Sequence, residues 1–138
     1  MKPPAVAVTL TSTGSLSPVR GEVRGQLAQW GRSDLAEDCL LVVSELVGNA
    51  FDHGRAPVRL SLVLRGQGGD QVLRIQVSDL GPGFDTELVR ARWRHPSFGG
   101  LGSGGRGLLL VDALCRAWGE RHDRAGHTVW GDLPRDTT

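Results

Sequence analysis

Two runs of strict alternation joined by a short glycine-rich stretch constrain this chain more than anything else in it. Val58 to Leu64 puts Val58, Leu60, Leu62 and Leu64 on one parity, and Val72 to Asp79 does the same with Leu73, Ile75 and Val77. A period of two is that of a half-buried β-strand, and Gly66 to Asp70 has the composition of a turn. The pair predicts an antiparallel hairpin with one apolar face. Asp79 shares the parity of the apolar residues, so its carboxylate points toward the buried side, where it needs a partner.

The apolar face of such a hairpin must be covered, and the preceding residues supply the cover. Ala5 to Leu10 alternates as a first strand, with Val6, Val8 and Leu10 on one face. Ser17-Pro18 carries a cap and a first-turn proline for a helix whose stripe is Val19, Val23, Leu27 and Trp30, ended by Gly31. Asp34 with Glu37 has the spacing of a capping box for a second helix. Its buried face is Leu35, Cys39, Val42, Val43, Leu46 and Ala50, and it runs to about His53, where Gly54 stops it.

Beyond the hairpin, Asp85 to Arg92 predicts a short helix and residues 95–105 a glycine-rich loop. Leu108 to Trp118 predicts a helix closed by Gly119, with strands near Trp118–Asp123 and Thr128–Leu133. The expectation is one α+β domain spanning 1–138, with its core over 16–133. It is a two-layer α/β sandwich whose mixed, mainly antiparallel sheet carries its helices on one face.

The composition narrows the class of function. With 39% hydrophobic and 22% charged residues the 138-residue chain is globular. A net charge of +1 provides no field to draw it onto nucleic acid or anionic lipid. No apolar stretch approaches the ~20 residues of a membrane span, and no apolar leader follows Met1. A cytoplasmic protein with no direct nucleic-acid partner and no membrane partner is expected. Cys39 and Cys115 sit in apolar helical patterns and read as buried free thiols. Trp30, Trp118 and Trp130 read as packing residues.

Glu45, Asn49 and His53 recur every fourth residue, so an acid, an amide and an imidazole share one stripe of a helix. Two glycine motifs follow, Asp79-Leu80-Gly81-Pro82-Gly83 and Gly104-Gly105-Arg106-Gly107-Leu108. Together they fit a nucleoside triphosphate. Asp79 is suited to accept from the exocyclic amine of adenine and to repel the carbonyl of guanine. Gly81 and Gly83 let backbone pack on the base. The Asn49 side-chain oxygen is a hard ligand suited to Mg²⁺. Gly104, Gly105 and Gly107 precede the Leu108 helix, whose first-turn N–H groups favour phosphate, and Arg106 adds a charge-assisted donor. Glu45 is placed as a general base. His53 either joins this site or caps the helix C-terminus.

Other classes fit poorly. Gly102-x-Gly104-x-x-Gly107 matches the dinucleotide fingerprint formally, but no strand precedes it. There is no Walker A lysine, and His122 and His127 flank a turn without zinc-ligand spacing.

These motifs resemble those of the GHKL ATPase superfamily. Glu45-x-x-x-Asn49-x-x-x-His53 is similar to its N box, Asp79-x-Gly81-x-Gly83 to its G1 box and Gly105-x-Gly107-Leu108 to its G2 box, in the same order. Glu45-Leu46-x-x-Asn49-Ala50-x-x-His53-Gly54 resembles most the stand-alone anti-sigma-factor serine kinases. The resemblance implies the Bergerat ATP-binding fold, with Glu45 as base, Asn49 on Mg²⁺, Asp79 on adenine and 95–105 as an ATP lid. It also implies a protein serine/threonine kinase that binds a sigma factor and phosphorylates an anti-anti-sigma antagonist, in a family where many members form a homodimer. An ATP-binding regulatory module without catalysis and a plain ATPase are the rival readings. With no dimerisation helix before the domain and no transducer after it, neither a whole sensor kinase nor a gyrase-type machine is expected. The arginines at 90, 92 and 94 match no motif, and their role is open.

Overall fold

The computed structural model describes residues 5–12, 14, 16–83, 106–124 and 126–134. Five strands form one sheet: β1 (Ala5–Leu10), β2 (Val58–Arg65), β3 (Val72–Asp79), β4 (Ala117–Asp123) and β5 (Gly126–Pro134). Their order is β1-β2-β3-β5-β4, and every pairing is antiparallel. Helices α1 (Leu16–Gln29), α2 (Ala36–His53) and α3 (Arg106–Leu114) pack against it. This is the expected α+β two-layer sandwich. No helix among the described residues is long and apolar enough to cross a membrane.

The alternation in β2 and β3 decides which side is covered. Val58, Leu60, Leu62, Leu64, Leu73, Ile75 and Val77 are buried beneath α2, which itself buries Cys39, Val42, Val43, Leu46, Val47 and Ala50. A fully buried Leu or Ile contributes roughly 1.5–3 kcal/mol, so this layer holds α2 in place. The opposite face is polar. There the Arg74 guanidinium donates to both Asp132 oxygens at 2.7 and 2.9 Å and lies 4.3 Å over the Trp130 ring.

α1 ends as expected. Gly31 has φ +72°, Arg32 N donates to Leu27 O at 2.7 Å, and Gly31 N donates to Ala28 O at 3.0 Å, the bond pair of a Schellman stop. The α2 start differs from its expectation. Residues Ser33–Leu35 form a 3₁₀ turn, α2 begins at Ala36, and no side chain caps it. Asp34 pairs with Arg32 at 3.2 Å and Glu37 with Arg24 at 3.7 Å, so arginines take both carboxylates of the expected capping box.

The expected Leu108–Trp118 helix is also corrected: α3 ends at Leu114, and Trp118 and Gly119 lie in β4. Leu108, Val111, Cys115 and Trp118 fall at helical spacing, and all four are buried. A strand leaving the end of α3 keeps Trp118 against the same core, so the apolar period continues through a change of structure. The Trp118 indole N–H donates to Asp112 at 2.7 Å.

Both cysteines are buried free thiols. Burial pushes each pKa from 9.0 up to about 12, reinforced at Cys39 by the neighbouring Cys115 thiol and at Cys115 by Asp132, Asp112 and Asp38. Alkylation needs the thiolate, so iodoacetamide at about pH 8 is expected to leave both unmodified in the folded protein and label both in urea, read by intact mass. The unfolded thiols ionise near 9.0 and the folded ones near 12, so their contribution to stability is complete below pH 9 and is lost as pH rises toward 12.

Candidate functional site

The two ends of the site are set by what α2 touches. At its C-terminal end lies Asp79, the last residue of β3, with only 4% of its surface exposed. Asp79 Oδ1 accepts the backbone N–H of Gly81 at 2.6 Å and that of Arg55 at 3.3 Å. Leu80 N donates to Arg55 O at 2.9 Å, which ties the loop after α2 to the end of β3. The buried carboxylate therefore has the partners that its parity demands, and they are backbone amides.

Two glycines make this approach feasible by their size. A Cβ on Gly54 would collide with the Asp79 carboxylate, and one on Gly81 would come within 2.8 Å of both Asp79 Oδ1 and the Gly54 Cα. Gly54 has φ −103°, so its backbone suits any residue. It stops α2 where only hydrogen fits against Asp79.

Toward the middle of α2, Glu45 reaches the start of α3. A Cβ on Gly107 would collide with Glu45 Oε2. The glycine of the third motif and the acid of the first are thus in contact. Asn49, one turn after Glu45, is half-buried, and His53 is exposed at the end of α2. From Glu45 to Gly54 the helix rises about 13 Å, a length that an extended nucleoside triphosphate can span. Leu108 is buried, and Arg106 is the first residue of α3. Gly104, Gly105, the expected 85–92 helix, the 95–105 loop and the three arginines of unassigned role lie outside the described residues.

Sequence reasoning passed over one residue. His127 of β5 is 3% exposed, and its Nδ1 lies 3.6 Å from Asp79 Oδ2, an oxygen that accepts no backbone amide among the described residues. Its Nε2 lies 2.8 Å from Glu120 Oε2 on β4. Gly83, at φ +82°, closes on the ring: a Cβ there would come within 2.7 Å of the imidazole. Starting the last strand at Thr128 leaves His127 in the turn. Starting it at Gly126 puts His127 on the parity of Val129 and Leu133, which are buried, and that parity is the signal that finds it.

A cleft of about 440 Å³ opens at the same end of the sheet, lined in part by Arg59, Ser78, Asp79, Arg121 and Thr128. Arg59, Ser78, Thr128 and Arg121 are register partners across the sheet on the face away from the helices. Ser78 and Thr128 hydroxyls are 2.8 Å apart there. Its lining mixes these polar and charged groups with the apolar Pro57 and Leu80.

Chemically, the covered side offers the second carboxylate oxygen of Asp79 at one end of α2, 3.6 Å from His127 Nδ1. At the other end it offers an acid at a helix start, with an amide between. No group of three or more His, Cys, Asp or Glu among the described residues could hold a metal ion by itself. Glu45 and Asn49 each carry a side-chain oxygen, and oxygen ligands fit Mg²⁺, an ion that takes its other ligands from phosphate and water. A family profile described as "Histidine kinase-like ATPase domain" matches residues 10–130 of the chain. No curated protein matches it.

Proposed function

Since the chain belongs to the histidine kinase-like ATPase domain family, we propose that it is an ATP-dependent protein serine/threonine kinase and anti-sigma regulator. Its phosphoryl acceptor is a serine on a small anti-anti-sigma partner, and its other partner is a sigma factor. Domains of this family bind ATP with Mg²⁺. The finer reading rests on the run Glu45-Leu46-x-x-Asn49-Ala50-x-x-His53-Gly54. The observation that carries it is the contact of Glu45 with Gly107 at the start of α3, which sets a carboxylate at the phosphate end of the site.

ATP is the substrate. Asp79 Oδ2 accepts from the adenine amine, while Oδ1 stays on the Gly81 and Arg55 amides. The first N–H groups of α3 have no partner within the helix and are suited to phosphate oxygens. Asn49 would hold Mg²⁺ through its amide oxygen, and that ion would offset charge on the phosphates. Glu45 takes the proton of the acceptor serine as its oxygen bonds to the γ-phosphorus. The bond from that phosphorus to the β,γ-bridging oxygen breaks, and its electron pair leaves with ADP.

The test mixes the protein with γ-labelled ATP and candidate antagonist proteins from the same genome. Label on a partner serine, abolished by Ser→Ala in the partner, is the expected result. Steady phosphate release without a partner would assign a plain ATPase instead. Tight ATP binding with neither outcome would assign a nucleotide-switched binding module.

A further inference from the structure

We infer that the cleft of about 440 Å³ on the open face of the sheet is a docking site for an acidic peptide segment of a partner protein. The alternation that builds the core also builds this cleft. Val58, Leu60 and Val77 turn inward, so Arg59 and Ser78 stand on the face away from the helices. Strand register then sets one row across the sheet: Arg59 of β2, Ser78 of β3, Thr128 of β5 and Arg121 of β4. Neighbouring strands are about 4.8 Å apart, so the two arginines stand about 14 Å apart at Cα with two hydroxyls between them. All four line the cleft.

The row is rich in donors. The Ser78 and Thr128 hydroxyls are 2.8 Å apart. Together they hold two hydrogens, and the bond between them uses one, which leaves the other for a ligand. Arg59 is exposed and makes no ion pair among the described residues. Arg121 Nε lies 3.9 Å from Asp123 Oδ2, with the two side chains 59% and 56% exposed. A contact of that kind contributes little, so the Arg121 charge stays open to a stronger acceptor. Asp79 also lines the cleft, but its carboxylate belongs to the buried parity and is held by the Gly81 and Arg55 amides. Arg74, further along the same face, is spent on Asp132 at 2.7 and 2.9 Å. Two guanidinium groups and a hydroxyl hydrogen at one end of the sheet suit carboxylates. With a net charge of +1 on the whole chain, the attraction is local to this row.

The apolar part of the lining selects a peptide over a small anion. Leu80, 52% exposed, and the exposed Pro57 stand beside the charged row. Trp130 lies two residues along β5 from Thr128 on the same face, half-buried, with the Arg74 guanidinium 4.3 Å over its ring. Tryptophan and arginine are the residue types that protein interfaces favour. A single anion would occupy the row alone. An extended chain with acidic side chains and one apolar side chain meets the row, Leu80 and the surface toward Trp130 together.

The experiment titrates the ¹⁵N-labelled full chain with the end-blocked pentapeptide Glu-Glu-Leu-Glu-Glu and follows the amide shifts. Expected are saturable shifts at Ser78, Leu80 and Thr128, with an affinity that falls as salt rises. Arg59→Gln and Arg121→Gln are each expected to weaken binding about fivefold, and together about twentyfold, the upper range for exposed charges. Arg65→Gln, on the same face at the other end of β2, is expected to change nothing. All three side chains are exposed, so these variants keep the fold. Serine for the leucine of the peptide is expected to weaken binding to the wild type and to make no difference to Leu80→Ser. Equal affinity in the wild type and the double arginine variant overturns the inference. So does equal binding of Lys-Lys-Leu-Lys-Lys, or shifts confined to the helices. Inorganic phosphate that saturates the same amides more tightly than the peptide assigns a bare anion site and overturns the peptide. A second copy is the rival occupant, since α2 carries Glu37, Asp38, Glu45 and Asp52 with no lysine or arginine. Self-association of the wild type that the double variant loses would assign the face to that copy and overturn the inference. Neither ATP binding nor phosphoryl transfer enters the readout, so the result stands or falls apart from the kinase reading.

Discussion

Asp79→Asn is expected to weaken ATP binding roughly a hundredfold, about 3 kcal/mol, with little change in the unfolding midpoint. The separation of the two effects follows from the two oxygens. Oδ1 holds Gly81 N at 2.6 Å and Arg55 N at 3.3 Å, and an asparagine oxygen can accept both, so the link between β3 and the loop after α2 survives. Oδ2 becomes an NH₂ that meets the adenine amine donor to donor. Guanine has a carbonyl at that place, so the same variant is expected to narrow or reverse the preference for ATP over GTP. Calorimetry with both nucleotides and a thermal melt check this. A variant that binds ATP as tightly as wild type would show that the base is held elsewhere.

The parts of the fold legible in the sequence are those where burial and period coincide over several residues. β2 and β3 each carry four buried or inward positions in strict alternation, and α2 carries its buried stripe over five turns, so local pattern alone places them. The inward parity of Asp79 is legible for the same reason, as is the sharing of one helical side by Glu45 and Asn49. The illegible parts depend on choices between competing partners or on strand register. Asp34 had two uses, a cap or an ion pair, and Arg32 took it. Trp118 fits a helical period and a strand equally well, because both bury it on one core. The contact between Glu120 and His127 exists only because β4 and β5 pair with His122 opposite His127. No local pattern carries that register. Gly54 is a subtler case: a helix-stopping glycine was legible, but its reason, the carboxylate of a residue 25 positions later, belongs to tertiary structure.

Removing the acid of Glu45 while keeping its shape gives the largest expected effect on rate. Glu45→Gln is expected to slow phosphoryl transfer by about 10²–10⁴ and to leave ATP affinity unchanged or slightly improved. The rate falls because the amide cannot take the serine proton. The affinity holds because the carboxylate lies against Gly107, in the first turn of α3, where it interacts favourably with the helix N-terminus by about 0.3–1 kcal/mol. Phosphate oxygens seek the same dipole. The glutamine lacks the charge that repels them, so the cost to stability and the gain to phosphate binding share one origin. Single-turnover transfer of label, calorimetric affinity and a urea melt on the same preparation separate these terms. A purely structural glutamate would lower all three together. Transfer by Glu45→Gln at the wild-type rate would move the base to another residue.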